Sequence, residues 1–141
     1  MFKIISSLSL IAGLRFFGLF VVTPVLSLYA ISLNADHNND MALVGFAISA
    51  YAISQIIFQI PFGILGDRYS KRNVIAFGLI IFIIGSLICA YATSIEMIIV
   101  GRIVQGAGAI GSVVSAKITD LVLEEKRGKA MAFMGIAIFI S

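Results

Sequence analysis

Charge is what this sequence has least of. Aspartate, glutamate, lysine and arginine together make up 12% of its 141 residues, against about 25% in a soluble globular domain. Apolar residues make up 60%, and the mean hydropathy is +1.10. Too little polar surface remains to cover a water-soluble globule, so hydrocarbon is the solvent the chain suits. Cysteine is scarce as well: Cys89 stands alone, which excludes a disulfide framework within the chain. It lies inside an apolar run and reads as a small packing residue. No histidine, cysteine and carboxylate cluster has metal-ligand spacing, and no nucleophile has a base nearby. Neither an enzyme nor a bound cofactor is expected. The net charge of +3 does not point to nucleic acid, because the basic residues sit in short clusters between apolar runs and form no stripe for a phosphate backbone.

What the chain does have is long apolar runs. A membrane helix needs about 20 mostly apolar residues, and four segments supply them, at about 8–31, 42–65, 74–91 and 95–116. A fifth run begins near Ala130 and is still apolar at Ser141, with about half the length needed to span. The expectation is an all-α membrane protein of four complete helices plus part of a fifth, cut within a helix. Met1-Phe2-Lys3 before an apolar run could open a signal peptide. Arg15 interrupts that run, no small-residue cleavage pattern follows, and apolar character resumes through Tyr29, so a first spanning helix is expected instead.

The connections alternate in charge. Residues 32–41 and 92–94 carry no lysine or arginine, whereas 66–73 carry Arg68, Lys71 and Arg72, and 117–129 carry Lys117, Lys126, Arg127 and Lys129. Cytoplasmic loops hold the excess of basic residues. With Lys3, all of these fall on one side, so the N-terminus is expected inside and the loop with Asp36, His37 and Asp40 outside. His37 reads as a solvated residue. Tyr29 and Tyr91 fall at the expected outer edge, where amphipathic rings settle among headgroups.

Polar residues inside the spans are few, and each needs a reason. Gly63-Ile-Leu-Gly-Asp-Arg-Tyr-Ser-Lys-Arg-Asn-Val-Ile75 joins spans two and three. Gly63 offers another helix a bare side. Asp67 is an acid at a helix C-terminal end, where the macrodipole disfavours it, so it calls for a partner: Arg68, Lys71, Arg72 or the N-terminus of another helix. Span four holds Gly101-Arg-Ile-Val-Gln-Gly-Ala-Gly-Ala109. Arg102, Gln105, Gly106 and Ala109 recur at i, i+3, i+4 and i+7, on one face. Arg102 lies roughly 10 Å from the outer end at 1.5 Å per residue, too deep for easy snorkelling, and such a charge faces a cavity or a partner. Gly101, Gly106, Gly108 and Gly111 read as packing residues. In span one, Arg15 either snorkels toward the inside or lines a pathway, and Pro24 bends the helix. In span two, Tyr51, Gln55 and Gln59 share a face and suit interhelical hydrogen bonds or a water-lined path. Glu124, Glu125 and Lys126 read as a solvated turn.

The segment from Gly63 to Val74 resembles the signature loop of the major facilitator superfamily, Gly-x-Leu-small-Asp-Arg-x-Gly-Arg-Arg/Lys-x-Val/Ile, with Ser70 in place of the usual glycine and Lys71 of the usual arginine. The span-four motif is similar to that family's Arg-x-x-Gln-Gly-x-Gly. The twelve-helix drug/proton antiporter branch is the nearest likeness. The resemblance implies the N-terminal part of a six-helix half built from three-helix inverted repeats, a monomer when complete, in a bacterial inner membrane. It implies a cytoplasmic gate formed by Gly63, Leu65, Asp67, Arg68, Lys71, Arg72, Asp120 and Arg127, with Asp67 against a helix of the missing C-terminal half. Asp120 would pair with Lys71 or Arg72, and Arg127 resembles the usual basic entry into helix five. It further implies a cavity or coupling role for Arg102, with Gln105, Gly106, Arg15, Gln55 and Gln59 as the other candidates. The substrate class implied is a small molecule, exported in exchange for protons, with sugar or metabolite import as the alternative. The spans hold no mid-membrane carboxylate, Glu96 lying at the outer edge, so proton coupling rests on the resemblance alone. A small four-helix drug exporter acting as a dimer carries a glutamate in its first helix, where this chain has Arg15. A non-transporting membrane subunit or an inactive gene fragment is the remaining reading of another class.

Overall fold

The computed structural model describes residues 2–34 and 41–140. The loop of Asp36, His37 and Asp40 lies outside the described residues, so its expected position and the solvated reading of His37 find no structural account. Among the described residues six α-helices follow in order: α1 Phe2–Asn34, α2 Met41–Arg68, α3 Lys71–Ala90, α4 Ile95–Ala107, α5 Gly111–Leu121 and α6 Arg127–Ile140. A 3-10 turn at Glu124–Lys126 precedes α6. Among the described residues four stretches are long and apolar enough to cross a membrane: Lys3–Tyr29, Ala42–Arg68, Lys71–Ala90 and Ile95–Leu121.

Two differences from the sequence reading matter. The span at 95–116 is not one helix. It breaks at Gly108-Ala109-Ile110, and α4 and α5 lie on either side. Gly108 has φ −75° and ψ 47°, outside helical values, and Ile110 N donates to the Gly108 carbonyl at 2.9 Å, closing a tight turn. Second, the expected loop at 66–73 is almost all helix. Gly66, Asp67 and Arg68 form the last turn of α2, and Lys71 and Arg72 open α3, leaving Tyr69 and Ser70 as the connection.

Local chemistry accounts for the start of α4 and for a proline inside α1. Ser94 caps α4 by accepting from Met97 N at 3.4 Å, satisfying one of the orphan donors of the first turn. Pro24 removes an N–H within α1, and Thr23 Oγ1 donates to the Leu19 carbonyl beside it at 2.6 Å. Tyr29 does more than sit at an edge: its hydroxyl donates to the Ala92 carbonyl at 2.6 Å, tying α1 to the α3–α4 turn. Tyr91 is exposed.

α4 packs chiefly on α2 and α3, while α1 pairs with α6. Glycine makes the close approach possible, because helices in lipid associate by backbone proximity and packing. A Cβ on Gly85 of α3 would run into the Gln105 backbone, one on Gly106 into the Tyr51 carbonyl of α2, and one on Gly108 into the Gly78 carbonyl. Gly101 meets Cys89 in the same way. Gly63 and Gly111, read as packing residues, have nothing within 4 Å of a Cβ among the described residues.

Two apolar clusters result. One gathers Ile5, Leu8, Phe62, Val74, Ile110, Val113 and Ile118 toward the end rich in basic residues. The other gathers Leu26, Val44, Ala47, Cys89, Ile95 and Ile98 toward the opposite end. Along their helices, the buried Arg15, Ser54, Arg102 and Gln105 fall between the two clusters, while buried Ser9 lies within the first.

Candidate functional site

The α2–α3 junction places the first set of candidates. Gly66 is buried, a Cβ there lying 3.1 Å from Val113 of α5, and Leu65 packs on the apolar cluster at the basic end. Asp67 and Arg68 are exposed. Among the described residues, no cation lies within ion-pairing distance of Asp67. Lys71 donates to the Asp120 carboxylate on α5. Each member of this pair sits at the helix end its charge disfavours, the lysine at the N-terminus of α3 and the acid near the C-terminus of α5. Each therefore relieves the other. Arg72 does not take Asp120; it lines a groove with Lys3 and Lys117. Arg127, which opens α6, donates from Nε to the Thr119 carbonyl at 3.3 Å, placing a cation on the last carbonyls of α5. Its guanidinium also reaches the exposed Glu124 at 3.7 Å, and Glu124, Glu125 and Lys126 are all exposed, in keeping with a solvated turn.

The second set meets in the middle of the bundle. Arg102 is 2% exposed. Its Nη1 donates to Gln105 Oε1 at 2.8 Å, and its guanidinium lies over the Tyr51 ring at 5.1 Å. Gln105 Nε2 donates to Ser86 Oγ at 2.8 Å, and Ser86 donates to the Phe82 carbonyl at 2.9 Å. A chain of four groups thus crosses from α4 to α3. Gln105 and Ser86 also line a cavity of about 510 Å³ with Tyr29 and Leu26. Arg102 Nε and Tyr51 Oη are buried without a hydrogen-bond partner among the described residues. Among the described residues, the partners of Arg102 are an amide on its own helix and a ring on α2, not carbonyls of a neighbouring helix.

Arg15 neither snorkels nor lines an open path. α1 starts at Phe2, so Arg15 sits about 20 Å along it at 1.5 Å per residue. It is 5% exposed, and Nη2 donates to the Gly108 carbonyl at 3.0 Å, at the break in span four. Gln55 is half-buried and Gln59 exposed. Among the described residues neither side chain makes an interhelical hydrogen bond, so the face shared with Tyr51 turns from the core to the surface along α2. Ser54, one residue before Gln55, supplies the bond expected of them, donating to the Ile103 carbonyl of α4 at 2.6 Å. The sequence reading missed Ser54, Ser86 and the Gly108 carbonyl. Serine in an apolar helix carries a faint signal, and a backbone acceptor carries none.

Comparison with known proteins adds to this geometry. The sequence pattern of the Major Facilitator Superfamily matches residues 8–141. An uncharacterized transporter of Buchnera aphidicola subsp. Schizaphis graminum is 44% identical over 91% of this chain and 32% of its own length. The inner membrane transport protein YajR of Escherichia coli strain K12 is 44% identical over 95% of this chain and 29% of its own length. The tetracycline resistance protein, class H, of Pasteurella multocida is 29% identical over 94% of this chain and 33% of its own length. The chain spans about a third of the length of these relatives. With the signature segment at the α2–α3 junction, the arginine motif in α4 and a pattern match over nearly its whole length, the chain is a multi-pass membrane protein that belongs to the major facilitator superfamily.

Proposed function

We propose that this chain forms the first part of the N-terminal half of a secondary transporter that works by alternating access and exports a small molecule, with protons as the coupling ion. The observation that carries the reading is the open face at the end of α2. Among the described residues a Cβ on Gly63 would meet nothing within 4 Å, and Asp67 stands exposed at a helix end that disfavours an acid. A helix N-terminus of a second half, docked there, would supply the missing positive charge and fill the bare side, closing one gate; undocking would open it. Lys71, Asp120 and Arg127 hold the ends of α3, α5 and α6 in register beneath that contact. Arg102 and Gln105, buried between the apolar clusters, are the coupling residues in this reading. The basic clusters support an N-terminus in the cytoplasm, and the relation to the Escherichia coli inner membrane protein supports a bacterial inner membrane, with a monomer as the working unit. Export, over sugar or metabolite import, is favoured by the relation to the tetracycline resistance protein. A solute carrier has no need of a bound cofactor or of enzymatic chemistry.

The test is drug-dependent growth and proton-driven uptake into inverted vesicles by the complete transporter, with Asp67→Asn and Arg102→Ala. Loss of transport of about tenfold or more is expected for each with normal membrane insertion. Full transport in both variants would remove the roles given to these residues.

A further inference from the structure

Arg15 is buried, and among the described residues no acid pairs with it. Its Nη2 donates to the carbonyl of Gly108, the C-cap of α4. The carbonyl end of a helix is its negative end, so α4 supplies the counter-charge that no side chain does. The same carbonyl accepts from Ile110 N at 2.9 Å, so both its lone pairs are engaged. Gly108 has ψ 47°, whereas a continuous helix has ψ near −42°. In a continuous helix the Gly108 carbonyl is therefore turned by about a quarter circle. It then faces Ser112 N, and Ile110 N takes the Gly106 carbonyl in its place. A rotation at Gly108 exchanges one set of hydrogen bonds for another, and the clasp to Arg15 belongs to the bent set alone.

The packing divides at the same point. Ile95 and Ile98 of α4 belong to one apolar cluster, and Val113, Val114 and Ile118 of α5 to the other. α4 is held by close backbone contacts: a Cβ on Gly85 would run into the Gln105 backbone, and one on Gly106 into the Tyr51 carbonyl. Past the break, a Cβ on Gly111 would meet nothing within 4 Å among the described residues. We propose that span four is a hinge with two forms, the bent one seen here and a continuous one, and that Arg15 is the clasp that holds the bent form. Backbone groups freed at a break inside the membrane have to be satisfied by protein, and Arg15 does this for Gly108. The use of the hinge rests on the transport reading. α4 carries Arg102 and Gln105, while α5 carries Asp120 in its pair with Lys71. Bending at Gly108 therefore moves the gate pair relative to the coupling residues.

The test is pulsed electron spin resonance on the full chain in detergent, in a background with Cys89→Ala. Spin labels on Thr93→Cys and Leu123→Cys, both exposed positions, read the length of span four. Labels on Thr93→Cys and Tyr69→Cys, also exposed, read a distance that leaves out α5. A continuous helix over 93–123 is about 45 Å long at 1.5 Å per residue, and the bent form is shorter. With Arg15 in place the shorter distance is expected to dominate, with a longer component of up to about a tenth. In Arg15→Met the longer component is expected to dominate, with the Thr93–Tyr69 distance unchanged. Should that variant not fold, Gly111→Ala decides. Gly111 is an interior residue of the continuous form, where alanine gains up to about fivefold over glycine, and the longer component is expected to rise by that factor. One short distance in both the labelled chain and Gly111→Ala overturns the proposal. So does a folded Arg15→Met that leaves the Thr93–Leu123 distance unchanged or shifts both label pairs alike, the result for general loosening. The measurement involves no transport, so a negative result leaves the transport reading untouched.

Discussion

Gly63 and Gly106 look alike in sequence and differ in what surrounds them. A side chain on Gly106 has to displace the Tyr51 carbonyl and Ser54, which are backbone and buried wall, so α2 and α4 must part. Gly106→Val is expected to destabilise this chain by about 1–3 kcal/mol, seen as a lower Tm in detergent. Gly63→Ala meets open space and is expected to leave that Tm unchanged, while lowering transport by the complete protein if a second half docks on that face. Tyr51 gives a contrasting case. Its hydroxyl is buried without a partner, and its ring lies beside Arg102. Removing an unsatisfied polar group is neutral or stabilising, so Tyr51→Phe is expected to hold or raise Tm, whereas Tyr51→Leu, which takes away the ring face under the guanidinium, is expected to lower it. A fall in Tm for Tyr51→Phe would mean that the hydroxyl has a partner after all.

The elements carry a charge arrangement that runs against their own dipoles. Lysine opens α3 and aspartate lies one residue before the end of α5, and the two hold each other. Lys71→Asp leaves two acids facing one another and is expected to lower Tm. The exchange Lys71→Asp with Asp120→Lys restores the pair and places each charge at the helix end that favours it. That double variant is expected to be at least as stable as the unaltered chain by thermal unfolding. A double variant no more stable than Lys71→Asp alone would show that the local surroundings, not the pair, set the polarity. The lysine and aspartate could be named from the sequence because the family resemblance offered Lys71 or Arg72 as partners. The choice between them depended on the register of α3, which starts at Lys71 and turns Arg72 toward Lys3 and Lys117.

For the whole molecule, the distribution of basic residues makes a topological prediction. In a background with Cys89→Ala, a cysteine introduced at exposed Thr93 is expected to react with a membrane-impermeant maleimide from outside intact cells. One introduced at exposed Lys126 is expected to react only after the membrane is opened. The reverse pattern would overturn the orientation with the N-terminus inside. Composition and the positions of Lys and Arg carry this prediction almost alone, because a helix in hydrocarbon needs nothing but length, apolarity and internally satisfied backbone.

The sequence by itself determined the spans, the family and the identity of the charged residues at the α2–α3 junction. These follow from local composition and from short motifs whose residues are neighbours in the chain. Only the tertiary structure decided where the buried charges point. Arg15 was open between snorkelling and a pathway, and its destination, the Gly108 carbonyl, lies 93 positions away at a break that no single residue announced. Gln55 and Gln59 were candidates for interhelical bonds, yet Ser54 makes the bond to α4, because one step of rotation about α2 moves a side chain from the interface to the surface. Hydrophobic periodicity gave little help here, since in lipid the outward face is as apolar as the core and the burial pattern is erased from the sequence.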